Sequence, residues 1–186
     1  MPKGGEGKRE EFTAIALPYM DTVYSAGLYL SRNPDEAADL LQETFLRAYR
    51  SWHQFNPGTN CKAWLLTILY NAFRNRYRSR TREPQTVEFD EAIYSGERAG
   101  LPALAEDPQE IVAAQVLDGE VEAALRQLPQ EFLEAVVLVD LQELTYEEAA
   151  AASGCPVGTI RSRLSRGRRL LHQALEHYAR ERGLTR

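Results

Sequence analysis

Cysteine is nearly absent from this chain: Cys61 and Cys155 are the only two in 186 residues, too few for a disulfide framework and suited to a reducing compartment. Histidine is as scarce, with His53, His172 and His177. No Cys and His set has metal-ligand spacing, and the offset between His172 and His177 misaligns them on a helix face, so neither metal nor cofactor is expected. Long apolar runs are missing too, and the opening MPKGGEGKREEF carries no hydrophobic signal region. The expectation is a soluble, cytoplasmic protein with no membrane insertion. The glycines of GGEG lack the flanking strand and helix of a phosphate loop, and no nucleophile has a plausible base nearby. Enzymatic chemistry is not expected.

Acidic residues are the second absence, but a local one. The chain as a whole is acidic, with a formal net charge of −5. Yet residues 62–82 hold Lys62, Arg74, Arg76, Arg78, Arg80 and Arg82 without one Asp or Glu, and residues 156–173 hold five arginines, again without an acid. Solvated charged helices normally interleave acids for pairing one turn away. Two compact cationic patches on an acidic body imply local contact with nucleic acid, assisted by a partner, because a few phosphates release few counterions.

The second patch lies in TYEEAAAASGCPVGTIRSRLSRGRRLL, residues 145–171. Thr145 and Glu148 have capping-box spacing, so a helix is expected to begin near Tyr146. Ser153, Gly154, Cys155 and Pro156 break it, with glycine suited to the turn and proline to the first position of a second helix. At 100° per residue, Val157, Ile160, Leu164, Gly167 and Leu171 share the side that packs on the first helix. Ser162, Ser165, Arg166 and Arg169 lie opposite, and Arg161, Arg163 and Arg168 flank them. This is a helix-turn-helix whose outer face meets base edges and whose flanks meet phosphate.

Elsewhere the pattern is also helical, and strand-like alternation is absent. Apolar residues recur from Phe12 to Leu30 with Pro18 expected to kink or split the helix. Asn33-Pro34 followed by Asp35 and Glu36 announces the next helix, which runs to about Trp52. FNPGTN at 55–60 is a loop by its turn chemistry, and a third long helix covers roughly 62–80. Residues 83–108, with seven acids against one Arg, form an expected flexible acidic linker. Its contour is roughly 90 Å, and a coil of that length spans on the order of 30 Å. An amphipathic helix from Pro108 through Leu125, a helix at 130–144 and the helix-turn-helix complete the chain. The fold class expected is all-α: two small helical units, 8–82 and 109–180, the second a four-helix unit.

Three blocks, DEAADLLQETFLRAYR (35–50), FNPGTNCKAWLLTILYNAFRNRYRSR (55–80) and the helix-turn-helix, carry a resemblance in order and separation. They are similar to the extracytoplasmic-function, or group IV, sigma factors of bacterial RNA polymerase. The resemblance implies that the first unit is sigma region 2 and the second sigma region 4. It further implies binding to core RNA polymerase and promoter DNA, initiation of transcription of a stress or signal regulon, and control by an anti-sigma factor. A monomer is expected when the chain is free.

Site residues follow from the same comparison. Residues 35–50 would dock on the clamp coiled coil of the largest polymerase subunit through Asp35, Asp39, Leu40, Gln42, Glu43, Leu46 and Arg47, while Leu41, Phe45, Ala48 and Tyr49 form core. Asn56, Thr59 and Asn60 would form a pocket for an extruded base of the minus-ten element, with Asn71, Arg74, Asn75 and Arg78 along the strand. Trp64, Leu65, Ile68, Leu69 and Phe73 are expected in the core. Arg166, with Ser162 and Ser165, would read the minus-thirty-five element, and Arg161, Arg163, Arg168 and Arg169 would hold phosphate, with a base also within reach of Arg169. Two rival functions are a self-sufficient dimeric regulator and an enzyme with an appended DNA-binding unit.

Overall fold

Asn33 shows how the helices are set. Its Oδ1 accepts the backbone N–H groups of Asp35 at 2.9 Å and Glu36 at 3.1 Å, satisfying two of the amides that a helix start leaves without partners. Pro34 then needs no amide of its own. The computed structural model describes residues 4–81 and 119–183; the 83–108 linker and the helix start at Pro108 lie outside the described residues. Within those bounds there are eight α-helices and no strand.

The first unit contains α1 (Gly4–Ala16), α2 (Met20–Ser31), α3 (Pro34–Arg50) and α4 (Cys61–Thr81). Pro18 splits α1 from α2 through a single 3-10 turn, Leu17–Tyr19, as the missing amide requires. Leu40, Leu41, Leu65, Leu66 and Leu69 are fully buried where α2, α3 and α4 meet. Each contributes about 1.5–3 kcal/mol by leaving water. A second, aromatic layer joins α1 to the segment before α4: Phe12 stands edge-on to Trp52 at 5.1 Å, and Trp52 stacks on Phe55 at 4.7 Å.

The second unit contains α5 (Gly119–Gln127), α6 (Gln130–Val136), α7 (Tyr146–Ser153) and α8 (Val157–Glu181). The helix expected at 130–144 is shorter and ends differently. After Val136 it widens into a π turn, Val137–Leu141, closed by the Gln142 amide on the Val137 carbonyl at 2.9 Å. The Thr145 and Glu148 capping box is formed in both directions. Gly154 makes the turn at φ 61°, the left-handed region that glycine enters without cost. Pro156 sits one position earlier than expected, capping α8 rather than opening it.

Ile160 and Leu164 are buried as the wheel requires. Gly167, placed on the same side, faces α6 instead of α7: a Cβ there would lie 2.9 Å from Val136 Cγ2. Hydrogen then stands where no methyl fits, and α8 is drawn tight against α6.

The two units do not stand apart, as a long tether allows, but pack together through α4 on α7 and through α2 on α6 and its π turn. Arg32, itself in the left-handed conformation at φ 59°, donates from Nη2 to the Leu128 carbonyl at 2.8 Å. Gln130 Nε2 reaches the Leu30 carbonyl at 3.4 Å, and Gln142 Nε2 reaches Ser25 Oγ at 3.4 Å. Backbone carbonyls at helix ends want donors, and each unit supplies them to the other.

Candidate nucleic-acid interface

The 55–60 loop is built by its own side chains. Asn56 Oδ1 accepts the Gly58 amide at 3.2 Å, and Thr59 Oγ1 donates back to the Asn56 carbonyl at 2.8 Å. Asn60 caps α4, its Oδ1 accepting the Ala63 amide at 3.2 Å. All three are exposed. Behind them Trp52 and Phe55 are buried and Trp64 is half-buried, so the loop stands on an aromatic floor. Trp52 Nε1 is held by Glu11 of α1 at 3.3 Å.

Along α4, Asn71 and Asn75 are exposed and Arg74 is half-buried. The backbone at Arg78 is helical, and its side chain lies outside the described residues. Leu65, Leu69 and Phe73 are buried, as expected, while Trp64 and Ile68 are half-buried. Two of the candidate DNA contacts already have partners from the other unit. Asn60 Nδ2 donates to Glu148 Oε1 at 2.8 Å, and Arg74 Nη1 donates to the Ser153 carbonyl at 2.8 Å. Burial works to raise the Glu148 pKa, but hydrogen bonds from the Thr145 backbone, Asn60 and the Thr145 side chain outweigh it, and the carboxyl titrates below its ordinary range.

On α8, the exposed residues are Arg161, Ser162, Ser165, Arg166, Arg168 and Arg169, with Arg163 half-buried. The arginines differ in how they are held. Arg161 lies over the Tyr146 ring at 5.3 Å, Arg163 approaches Glu131 at 3.4 Å, and Arg168 grips Asp140 with Nε at 3.0 Å and Nη2 at 2.5 Å. These three flank the face and are fixed in direction by their own unit. Arg166 and Arg169 have no hydrogen bond or ion pair among the described residues. They, with Ser165 and with Ser162, whose hydroxyl donates to the Thr159 carbonyl at 3.0 Å, make up the candidate base-facing part of α8.

On α3, Asp35, Asp39, Gln42, Leu46 and Arg47 are exposed and Glu43 is half-buried. Leu46 is one of two large apolar side chains left in solvent among the described residues. Leu40 departs from the expected set: it is 0% exposed because its position on the helix turns it toward α2 and α4. Leu40 is therefore core, supporting the helix from within. Leu41, Phe45 and Ala48 are buried as expected.

Arg76 was not among the expected site residues. From α4 it donates to Glu43 through Nε at 3.0 Å and Nη2 at 2.7 Å, and lies 3.6 Å from Asp39. It ties the acidic face of α3 to the cationic helix. Its position in an acid-free run gave the charge but not the partner.

No group of His, Cys, Asp and Glu among the described residues could hold a metal ion, and no helix among them is long and apolar enough to cross a membrane.

Known proteins resemble this chain in sequence and in fold. The chain matches the Sigma-70 region 2 family over residues 16–83 and the Sigma-70 region 4 family over 118–171. It is 44% identical over 159 residues to the ECF RNA polymerase sigma factor EcfG of Rhodopseudomonas palustris, covering 86% of this chain and 82% of that one. It is 35% identical over 181 residues to the ECF sigma factor SigE of Mycolicibacterium smegmatis, spanning 96% of this chain and 66% of SigE. Among solved structures it resembles the sigma factor RpoE in complex with the anti-sigma factor NepR from Bartonella quintana, with a TM-score of 0.68, 33% identity, and coverage of 90% of this chain and 98% of that one. With a region 2 unit, a region 4 unit and a cationic helix in each, the chain belongs to the ECF family of RNA polymerase sigma factors, which direct the polymerase to promoters.

Proposed function

We propose that this sigma factor, without catalytic activity of its own and monomeric when free, divides its work among three surfaces. The exposed side of α3, with Asp35, Asp39, Gln42, Glu43, Leu46 and Arg47, docks on the clamp coiled coil of the polymerase largest subunit. Mixed acids with one exposed leucine suit a protein partner better than a phosphate backbone. The loop residues Asn56, Thr59 and Asn60 receive an extruded base of the minus-ten element, and Asn71, Arg74, Asn75 and Arg78 follow the freed strand. Opening DNA costs about 1.4 kcal/mol per base-pair step in lost stacking, so capture of the strand must offset it. Helix α8 reads the minus-thirty-five element in the major groove, Arg166 with Ser162 and Ser165 toward the bases and Arg161, Arg163, Arg168 and Arg169 toward phosphate. The work is done in the cytoplasm.

The observation that carries this reading is the pair of acid-free cationic stretches, one along α4 and one over residues 156–173 at the start of α8, one in each unit. A repressor acting alone needs only the second. An anti-sigma factor is a further proposed partner, supported by the relative whose structure was solved with one. Run-off transcription with core polymerase, with and without the protein, tests the reading, followed by mapping of start sites. Defined starts that depend on the protein support it. Tight operator binding by an isolated dimer, with no effect on core polymerase, would overturn it in favour of a self-sufficient regulator.

A further inference from the structure

Phe132 and Val136 of α6 stand against Gly167 of α8: a Cβ at Gly167 would lie 3.4 Å from Phe132 Cβ and 2.9 Å from Val136 Cγ2. Four residues of regular α-helix overshoot a full turn by about 40°, so two such steps would carry position 140 about 80° round from Phe132. The π turn Val137–Leu141 takes more residues per turn and offsets that drift. Asp140 stays on the side that faces α8. There it grips Arg168, the residue after Gly167, through Nε at 3.0 Å and Nη2 at 2.5 Å. Among the flanking arginines this is the firmest hold, since Arg161 lies over a ring and Arg163 is 3.4 Å from one carboxylate oxygen.

Stability does not account for the pair. The Arg168 side chain is 54% exposed and that of Asp140 27%, a setting in which ion pairs add little to folding. What the fork supplies is direction. An unrestrained arginine gives up the freedom of a long side chain when it binds, whereas a guanidinium gripped at two points has its plane set beforehand. That group carries five N–H donors. Two go to Asp140, and Tyr146 takes part in a further hydrogen bond with it, which leaves donors for the oxygens of a phosphate.

We propose that Asp140 is a positioning residue for promoter binding: from the π turn, its carboxylate orients Arg168 toward the backbone of the minus-thirty-five element. The inference rests on the assignment of Arg168 to phosphate in the proposed function. An acid beside the DNA then strengthens binding. By charge alone, removing a carboxylate from a DNA-facing surface tightens binding and steepens its salt dependence. The positioning role predicts the opposite sign for both.

The test uses holoenzyme assembled from core polymerase and the full chain, with promoter affinity measured over a salt series for the parent, Asp140→Asn, Arg168→Ala and the double variant. Asp140→Asn keeps the shape and loses the charge. It is expected to weaken promoter binding roughly two- to tenfold, the cost of ordering one long side chain on binding, and to make the salt dependence shallower. In the Arg168→Ala background the same substitution is expected to bring no loss. Base selection across a library of minus-thirty-five variants is expected to stay parental in Asp140→Asn, because the defect is confined to Arg168, whereas a badly seated α8 would disturb Arg166 as well. Binding by Asp140→Asn as tight as the parent's or tighter, beside a loss in Arg168→Ala, overturns the proposal. So does an equal loss with and without Arg168, or an altered base selection, each of which marks a structural role. An Arg168→Ala holoenzyme with parental affinity and salt dependence strikes the phosphate assignment itself, and the positioning role falls with it.

Discussion

Asn60 donates its side-chain amide to Glu148 Oε1 at 2.8 Å while its own Oδ1 accepts the Ala63 amide at 3.2 Å, so one asparagine caps α4 and joins it to the cap of α7. The two roles separate by substitution. Asn60→Ala loses the cap, at a cost of about 1 kcal/mol in stability, whereas Asn60→Asp keeps it. Both lose the amide donor. Thermal melting is expected to distinguish them, while permanganate reactivity of the promoter should show both weakening strand opening more than initial DNA binding. An Asn60→Asp protein that opens promoters like the parent would remove Asn60 from the base pocket.

Arg166 and Arg168 lie two residues apart on α8 and are expected to fail differently. Arg168 is braced on Asp140, whereas Arg166 has no partner among the described residues. Arg166→Ala is expected to cost about 1–3 kcal/mol in discrimination and relax selection at a single upstream position. Arg168→Ala should weaken binding evenly across sequences and reduce its salt dependence by about one unit of slope. Transcription from a library of minus-thirty-five variants, repeated at two salt concentrations, measures both.

Gly167→Ala is expected to destabilise the second unit by about 1–3 kcal/mol through overpacking. The added methyl would meet Val136 Cγ2 at 2.9 Å and the Phe132 carbonyl at 3.3 Å. Gly158→Ala, on the same helix with open space around it, is the matched control and should be neutral or slightly stabilising. Melting of the two variants side by side decides the matter.

The contact between the two units should respond to acid. Burial, the largest influence, raises the Glu134 pKa in the packed state against the opposing effects of hydrogen bonds from Tyr70 and Gln130 and the cations Arg163 and Arg74; Glu131 lies beside Arg163. A pKa raised by packing means that protonation favours the packed form. Its contribution is therefore fully present below the ordinary glutamate pKa of about 4.3 and is lost as pH rises through the raised value. Glu148 is lowered and works in the opposite sense, holding Asn60 until pH falls through its own range. Mild acid, between the two, is where the units should be most firmly closed. Energy transfer between fluorophores placed one on each unit, followed from neutral to mildly acidic pH, should rise in the parent and stay flat in Glu134→Gln.

Thiol chemistry gives a further check on the packing of α4. Cys61 is buried at the start of that helix, and burial pushes its thiol up to about 11, whereas Cys155 in the turn before α8 is half-buried. Because the thiolate is the reactive form, one thiol should react quickly with an alkylating reagent at neutral pH and one slowly, with mass mapping placing the fast site at Cys155.

What the sequence disclosed was whatever depends on neighbours in the chain. The caps at Asn33 and Thr145, the break at Pro18 and the buried sides of α4 and α8 all follow from spacings of one to seven residues. Two failures have a common origin. Leu40 looked like part of a mixed acidic and apolar face, but only packing against α2 and α4 decides that it points inward. The π turn after Val136 adds a residue to the helical repeat through the Gln142 amide on Val137, which hydrophobic periodicity does not register. The contacts between units were beyond reach altogether. Arg74 meets a carbonyl 79 residues away, and a backbone carbonyl at a helix end has no residue type to reveal it.

Glu11 and Phe12 steady Trp52, and Trp52 with Phe55 underlies the loop that carries Asn56, Thr59 and Asn60. Such buttressing from α1 means that the proposed receptacle is shaped before its guest arrives. Little loop motion is left to be frozen on capture, so more of the contact free energy remains to hold the strands apart. Shortening the chain ahead of α2 would leave every proposed nucleotide contact in place and still slow bubble formation.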